Sequence, residues 1–427
     1  MPGAGLAGSE QGFFGRAREL GAGAARVLEA GARGRHTDSV ARSLTAARLA
    51  VAGFFFVHGT LVATWVSRIP AVKEGTGLTD ARLGLALLAM GIGLCAGLAP
   101  TSWLIARVGT AQVMVGSALG ACALLPGAGA ARSLTTLTPA LFGYGAMLGA
   151  LDVSMNAEAT WLEQRFGRSI MSSFHALWSL GGLVGATVGG VLAAREVGPL
   201  AQFAGVCAVL AALAITGRAV LGQVDDDRLV RAHLVWPSRA VIAIGAVTAC
   251  AAIVEGGVAD WSGVYLRDVL GSGPGMAADA FAVFSVAMMI GRLAGDRLID
   301  RFGGRAILRT GALFAALAIG AAIVGDHALG AAAAFAIVGA GMSMAFPLAF
   351  SAAGRASGVE VNQAIATVAT MAYGASLLGP PLIGFAASAI SLRWALGLPL
   401  AAAVAIVVLA GRLHSLPPAR RRRRSGV

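Results

Sequence analysis

The chain is 427 residues long, 57% hydrophobic and only 13% charged, and it carries 60 glycines. Those proportions exclude an ordinary soluble domain and describe a polytopic membrane protein. The net charge of +12 is almost all arginine, with Lys73 the single lysine, and it reads as topology information rather than a nucleic-acid footprint.

Residues 1–46 are rich in arginine and small residues, as in GRARELGAGAARVLEAGARGR, and hold no apolar core of the length a secretory signal needs. A flexible cytoplasmic arm is expected there. Twelve apolar runs follow, at 47–69, 81–103, 110–130, 134–160, 170–194, 199–220, 239–265, 277–298, 305–325, 328–352, 361–388 and 393–413. Each is long enough to cross a hydrocarbon core of about 30 Å. The longest polar interruption, GQVDDDRLVRAHLVWPSR, falls after the sixth run. The expected division is a six-helix bundle at 47–221, a cytoplasmic linker at 222–238, a second bundle at 239–413 and a basic tail at 414–427. The ARRRRR segment of that tail suits an anionic inner leaflet.

Most arginines fall in the even-numbered connections and the tail. The odd-numbered connections hold only Arg68, Lys73, Arg82, Arg132, Arg195, Arg267 and Arg393. By the positive-inside rule both termini are cytoplasmic.

The first span carries His58 about ten residues in, roughly 15 Å deep at 1.5 Å per residue, and then Trp65. In the fourth span Gly145, Gly149, Asp152 and Asn156 recur at helical spacing and share one face. A carboxylate in an apolar span is costly unless it faces a bundle interior or a wet cavity, so Asp152 is a functional candidate. The plainer role is a hydrogen bond to a neighbouring helix. The fifth span adds His175 and Trp178 in SFHALWSLGG. An imidazole titrates near neutrality and can carry a proton or bond a hydroxyl; structural hydrogen bonding weighs equally for each histidine.

Glu255 lies sixteen residues beyond Arg239, about 24 Å along the seventh span, which suits a cavity-lining role. Asp260 and Trp261 come nearer the outer mouth, and Trp261 suits an interfacial anchor as well as a gate. Asn362 and Gln363 open the eleventh span, where end-capping is the plainer role, and Tyr373 follows. Cys95, Cys122, Cys207 and Cys250 are scattered through apolar runs and read as packing residues. No Walker loop, ligand cluster or nucleophile set is visible, so neither an enzyme nor a metal or cofactor is expected.

Gly291–Arg305, GRLAGDRLIDRFGGR, resembles the G-x-L-x-D-R-x-G-R-R loop of the major facilitator superfamily at Leu298, Asp300, Arg301, Gly303 and Arg305. The matching place in the first half keeps Leu104, Arg107 and Gly109, with Ala106 where the family acid stands. The resemblance implies an all-α membrane protein of twelve helices in two pseudo-symmetric six-helix bundles. It further implies a cytoplasmic gate at Asp300, Arg301, Gly303, Arg305 and Arg107, and a substrate site between the halves. Within the superfamily, LDVSMN (Leu151–Asn156) and the pattern of Gly59, Ile69, Pro70 and Lys73 resemble the fucose-permease-like branch. On that match Asp152 handles the proton and Asn156 the substrate, while Val66 stands where the symporter has a second acid. His58 and His175 are the candidates to take its place, and Glu255 joins Asp152 and His58 in the proton-coupling set. His175, Trp178, Trp65, Asp260, Trp261, Asn362, Gln363 and Tyr373 complete the substrate-binding set.

The implied function is secondary active transport of a small, sugar-like solute across the inner membrane, coupled to protons. The expected partners are substrate, protons and membrane lipids, with no nucleic acid and a monomeric carrier. The alternative is a proton-driven efflux antiporter for a hydrophobic metabolite or drug. It rests on Gly181, Gly185, Gly189 and Gly190 of the fifth span, with Ala186 replacing that family's proline. A transport-inactive sensor is the third reading.

Overall fold

The computed structural model describes residues 44–166, 170–219, 221, 238–353 and 361–411. Most of the expected arm, nearly all of the linker and the tail lie outside the described residues, as do the side chains of Asn362 and Gln363.

Twelve helices are long and apolar enough to cross a membrane. They are α1 (Leu44–Val66), α2 (Asp80–Val108), α3 (Thr110–Ala130), α4 (Leu134–Phe166), α5 (Met171–Ala194) and α6 (Pro199–Arg218). The second set is α7 (Arg239–Val264), α8 (Pro274–Phe302), α9 (Gly304–Val324), α10 (Ala328–Ala353), α11 (Val361–Ile390) and α12 (Leu392–Ala410). All twelve expected runs are present. The ends run longer where charged or aromatic residues can still reach the polar boundary. Thus α4 continues to Phe166, with the Arg165 guanidinium 4.9 Å from the Trp161 ring centroid. Three helices depart from regular geometry: α7 ends in a π-turn, Tyr265–Val269, α10 breaks at Ser343 and Met344, and α12 breaks at Leu396.

The packing repeats between halves. In the first half α4 packs against α2 and α3, and α3 against α6; in the second, α10 packs against α8 and α9, and α9 against α12. The repeat extends to the loops carrying the gate-like motif. Gly109 closes α2 and opens α3 with φ 87° and ψ 153°, and Gly303 does the same between α8 and α9 with φ 82° and ψ 147°. Positive φ at these corners is the reason both motif copies keep glycine.

Close helix approach comes from small residues rather than from burial of apolar surface, which lipid would satisfy equally well. A methyl group on Gly93 or Gly97 of α2 would collide with the carbonyl oxygen of Phe142 or Ala146 of α4. In return, one on Gly145 or Gly149 of α4 would collide with that of Met90 or Leu94 of α2. The two glycines that share a face with Asp152 are therefore spent on helix contact. Between halves, α2 packs on α11 and α5 on α8.

Candidate functional site

The polar residues of the spans converge midway along the bundle. Asp152 lies fourteen residues from the end of α4, roughly 21 Å along the axis at 1.5 Å per residue. Its side-chain carboxylate accepts from Asn156 Nδ2 at 3.1 Å, and the same amide also donates to the Asp152 carbonyl at 2.9 Å. One helix thus presents a carboxylate and an amide as a preset pair. Electrostatic neighbours of Asp152 come from three other helices: His58 of α1, His175 of α5 and Tyr373 of α11. Tyr373 belongs to the opposite half, so the acid sits at the seam between the bundles.

His58 is oriented by α5. Trp178 Nε1 donates to His58 Nδ1 at 2.8 Å, which leaves the imidazole in the tautomer with its proton on Nε2. Nε2 itself is buried, on the side of the Leu148 backbone of α4. The backbones are close enough for this because Gly59 lies directly under the Trp178 carbonyl. His175 is exposed to the space between the halves, its ring edge-on to Phe55 at 5.3 Å between centroids.

From the second half Glu255 contributes a carboxylate whose Oε1 is buried and without a hydrogen-bond partner among the described residues. Arg292 of α8 interacts electrostatically with both Glu255 and His175. Its Nε donates to the Ser343 carbonyl at 3.4 Å, an acceptor exposed by the break in α10. Arg292, an arginine that the sequence offers only as a topology signal, is by this electrostatic contact with Glu255 and His175 a further candidate for the site. Glu158, 1% exposed and a turn and a half below Asp152, was likewise missed.

Other expected residues lie elsewhere. Trp65 is fully buried inside the first bundle, 6.4 Å from the Phe203 ring centroid. Trp261 is also fully buried and packs towards Gly384 of α11, so neither tryptophan lines the central space. Asp260 shares an α7 face with Gly256 and with Gly263, where an added methyl would meet Pro70 of the first half. In the gate-like loops the Arg301 guanidinium lies 5.1 Å from the Phe302 ring centroid and that of Arg107 4.1 Å from Trp103. The glycines of α5 face α1: methyl groups on Gly181, Gly185 and Gly189 would meet Phe56, Thr60 and Ser67.

At one end of the molecule, the Lys73 end, the halves are joined. Lys73, in the last turn of the short helix Ile69–Thr76 that follows α1, pairs with Asp80 of its own half at 2.5 Å and with Asp268 at the π-turn of α7. Arg267 reaches Glu74 at 3.4 Å, and the Ala81 amide donates to Ser388 Oγ of α11 at 2.9 Å. Burial of Lys73 alone would lower its pKa, but the bonds to Asp268 and Asp80 outweigh it and hold the ammonium above the ordinary lysine value.

A twelve-helix membrane protein with charged and hydrogen-bonding groups gathered between two repeated halves has the architecture of a secondary carrier. Residues 244–427 match the family model of the Major Facilitator Superfamily. The chain is 36% identical over 349 residues to an uncharacterised MFS-type transporter of Yersinia pestis, covering 80% of this chain and 89% of the relative. It is 34% identical over 352 residues to an uncharacterised transporter of Sinorhizobium fredii, covering 80% and 92%. Among solved structures, a mutant of the nucleoside transporter NupG superposes with a TM-score of 0.70 at 13% identity, over 86% of this chain and 98% of that one. FucP in its outward conformation superposes with a TM-score of 0.57 at 18% identity, over 85% and 97%. The chain belongs to the major facilitator superfamily and is a secondary transporter.

Proposed function

We propose that the protein moves a small, hydroxyl-bearing, sugar-like solute across the inner membrane by alternating access, driven by protons handled at Asp152. The observation that carries this reading is the meeting of Asp152 with Tyr373, His58 and His175 at mid-depth between the halves. A carboxylate at such a seam can exchange a proton with either face of the membrane as the halves rock, and its neighbours are hydroxyl-recognising groups. In this reading Asn156, His175, Trp178, Tyr373 and Arg292 contact the solute, and His58 and Glu255 assist the proton.

On the arginine distribution both termini are cytoplasmic and the Lys73 end faces outward. The described cross-half ion pairs, Lys73–Asp268 and Arg267–Glu74, both lie at that end, which corresponds to a carrier closed to the outside. The bundles 47–221 and 239–413 are the rocking units. In the glycine stripe of α5, Gly181, Gly185 and Gly189 are occupied in packing against α1 and Gly190 meets Asp279 of α8, so the stripe lends no weight to the efflux reading.

The test is Asp152→Asn in membrane vesicles loaded with candidate sugars. Exchange of solute down its own gradient should persist, while accumulation driven by a proton gradient should vanish, because the amide mimics the protonated acid but cannot release a proton. Wild-type accumulation in the variant removes Asp152 from the coupling.

A further inference from the structure

Cargo handling and closure both leave Arg68 unused. It is 4% exposed at the Lys73 end of α1, next to four other polar residues that are almost wholly buried. Thr64 and Trp65 are adjacent near the end of α1, where Trp65 meets Phe203 of α6, and Arg68 follows in the turn just beyond that end. Gln202, adjacent to Phe203 and 2% exposed, and Ser67 both border Gly189 of α5, which brings α1, α5 and α6 to one junction.

The junction is rich in unused donors. Arg68 Nη2 donates to the Val197 carbonyl at 2.6 Å, between α5 and α6, which aims the guanidinium at the start of α6. Arg68 Nε and Nη1, Gln202 Nε2, Trp65 Nε1 and Thr64 Oγ1 have no hydrogen-bond partner among the described residues, and Gln202 Oε1 is the one buried acceptor beside them in the same state. No described ion pair involves Arg68, and the nearby Glu196 is exposed, in the turn that carries Val197. One carbonyl offsets part of the cost of the buried cation, but several donors with nothing to bind remain expensive. The first turn of α6 adds the positive end of a 20-residue helix, with no side-chain cap on it.

We propose that this junction holds a small inorganic anion of the halide class, with chloride the natural occupant. The anion would accept from the Arg68, Gln202, Trp65 and Thr64 donors, neutralise the guanidinium and tie α1, α5 and α6 together directly behind the Lys73 closure. It is a second site, separate from the seam around Asp152, and does not depend on which solute is carried.

The experiment uses the full chain purified in detergent, with sodium chloride exchanged for sodium gluconate at constant ionic strength. Thermal unfolding and binding of radiolabelled chloride are both read. Wild-type protein should gain about 1–2 °C in melting temperature at a chloride concentration ten times its Kd, saturably, with bromide able to substitute. It should bind about one labelled chloride per chain. Arg68→Gln should abolish both responses, and Gln202→Leu should weaken chloride binding about tenfold. Equal melting in chloride and gluconate means that water or nothing fills the junction, and the proposal fails. Retention of the halide response in Arg68→Gln overturns it too. Should that variant not fold, unchanged chloride affinity in Gln202→Leu overturns it by itself.

Discussion

Asp268→Asn should tip the carrier towards its outward-open form. Lys73 and Asp80 are 13% and 19% exposed, whereas Asp268 is 41% exposed. At 4 Å a unit pair is worth about 4 kcal/mol in a dielectric of about 20 before desolvation and side-chain entropy are subtracted. Because Asp268 is more than a third exposed, the net contribution belongs near the upper end of surface ion pairs, about 1 kcal/mol. The variant keeps the Lys73–Asp80 pair, which lies within one half, and removes only the cross-half member. Losing about 1 kcal/mol changes the ratio of closed to open outer mouth by about fivefold. Asp268→Lys adds repulsion and should shift it further. Arg267–Glu74, more exposed on both sides, should contribute less. Spin labels on the short helix beside Lys73 and at the start of α8, read by double electron-electron resonance, report the ratio directly. Equal distance distributions in wild type, Asp268→Asn and Asp268→Lys would sink the argument. The sign of the pH dependence follows from Lys73. Its raised pKa means that its contribution is whole at every pH below the ordinary lysine value and is lost only as pH climbs through the raised one. Lys73 therefore adds no pH dependence to the mouth between pH 6 and 8, and a Lys73→Arg variant should show the same profile there.

Two further substitutions test the geometry around the seam and the loops. Trp178→Phe removes the donor to His58 Nδ1 while keeping an aromatic ring, and should cost about 1 kcal/mol of solute binding, roughly a fivefold rise in Kd by calorimetry; an unchanged Kd would assign the contact to packing alone. Gly303→Ala must hold an alanine at φ 82° and should lower the melting temperature by about 1–2 °C, or about 1 kcal/mol; Gly304→Ala, next to it and helical, should not, and equal effects would discard the backbone explanation.

The spans were legible because membrane crossing depends on apolar length, a property of a single segment. The face shared by Asp152 and Asn156 was legible for the same reason, since helical spacing alone defines it and the two side chains do bond each other. Direction across helices was not. Trp65 and Trp178 are both aromatic residues near polar positions of their spans, yet one stacks inside a bundle and the other holds His58, and nothing local separates them. Arg292 sits ten residues before the end of α8, where an arginine normally snorkels to the membrane surface. What turns it inward is the broken backbone at Ser343, fifty-one residues away, together with Glu255 on a third helix. Lys73 fits the same account. Its match to a family pattern was visible, but its meaning lies in Asp268, a residue 195 positions on that only the docking of the two halves brings within reach. Closure of the Lys73 end is therefore a property of the pairing between bundles rather than of either bundle. If that is so, swapping the charges, Lys73→Asp with Asp268→Lys, should restore the wild-type distance distribution that each single change disturbs, with Asp80→Asn included so that the new carboxylate meets no like charge; failure of the combined variant to recover the closed form would mean that the mouth is held by the α2–α11 and α5–α8 packing instead.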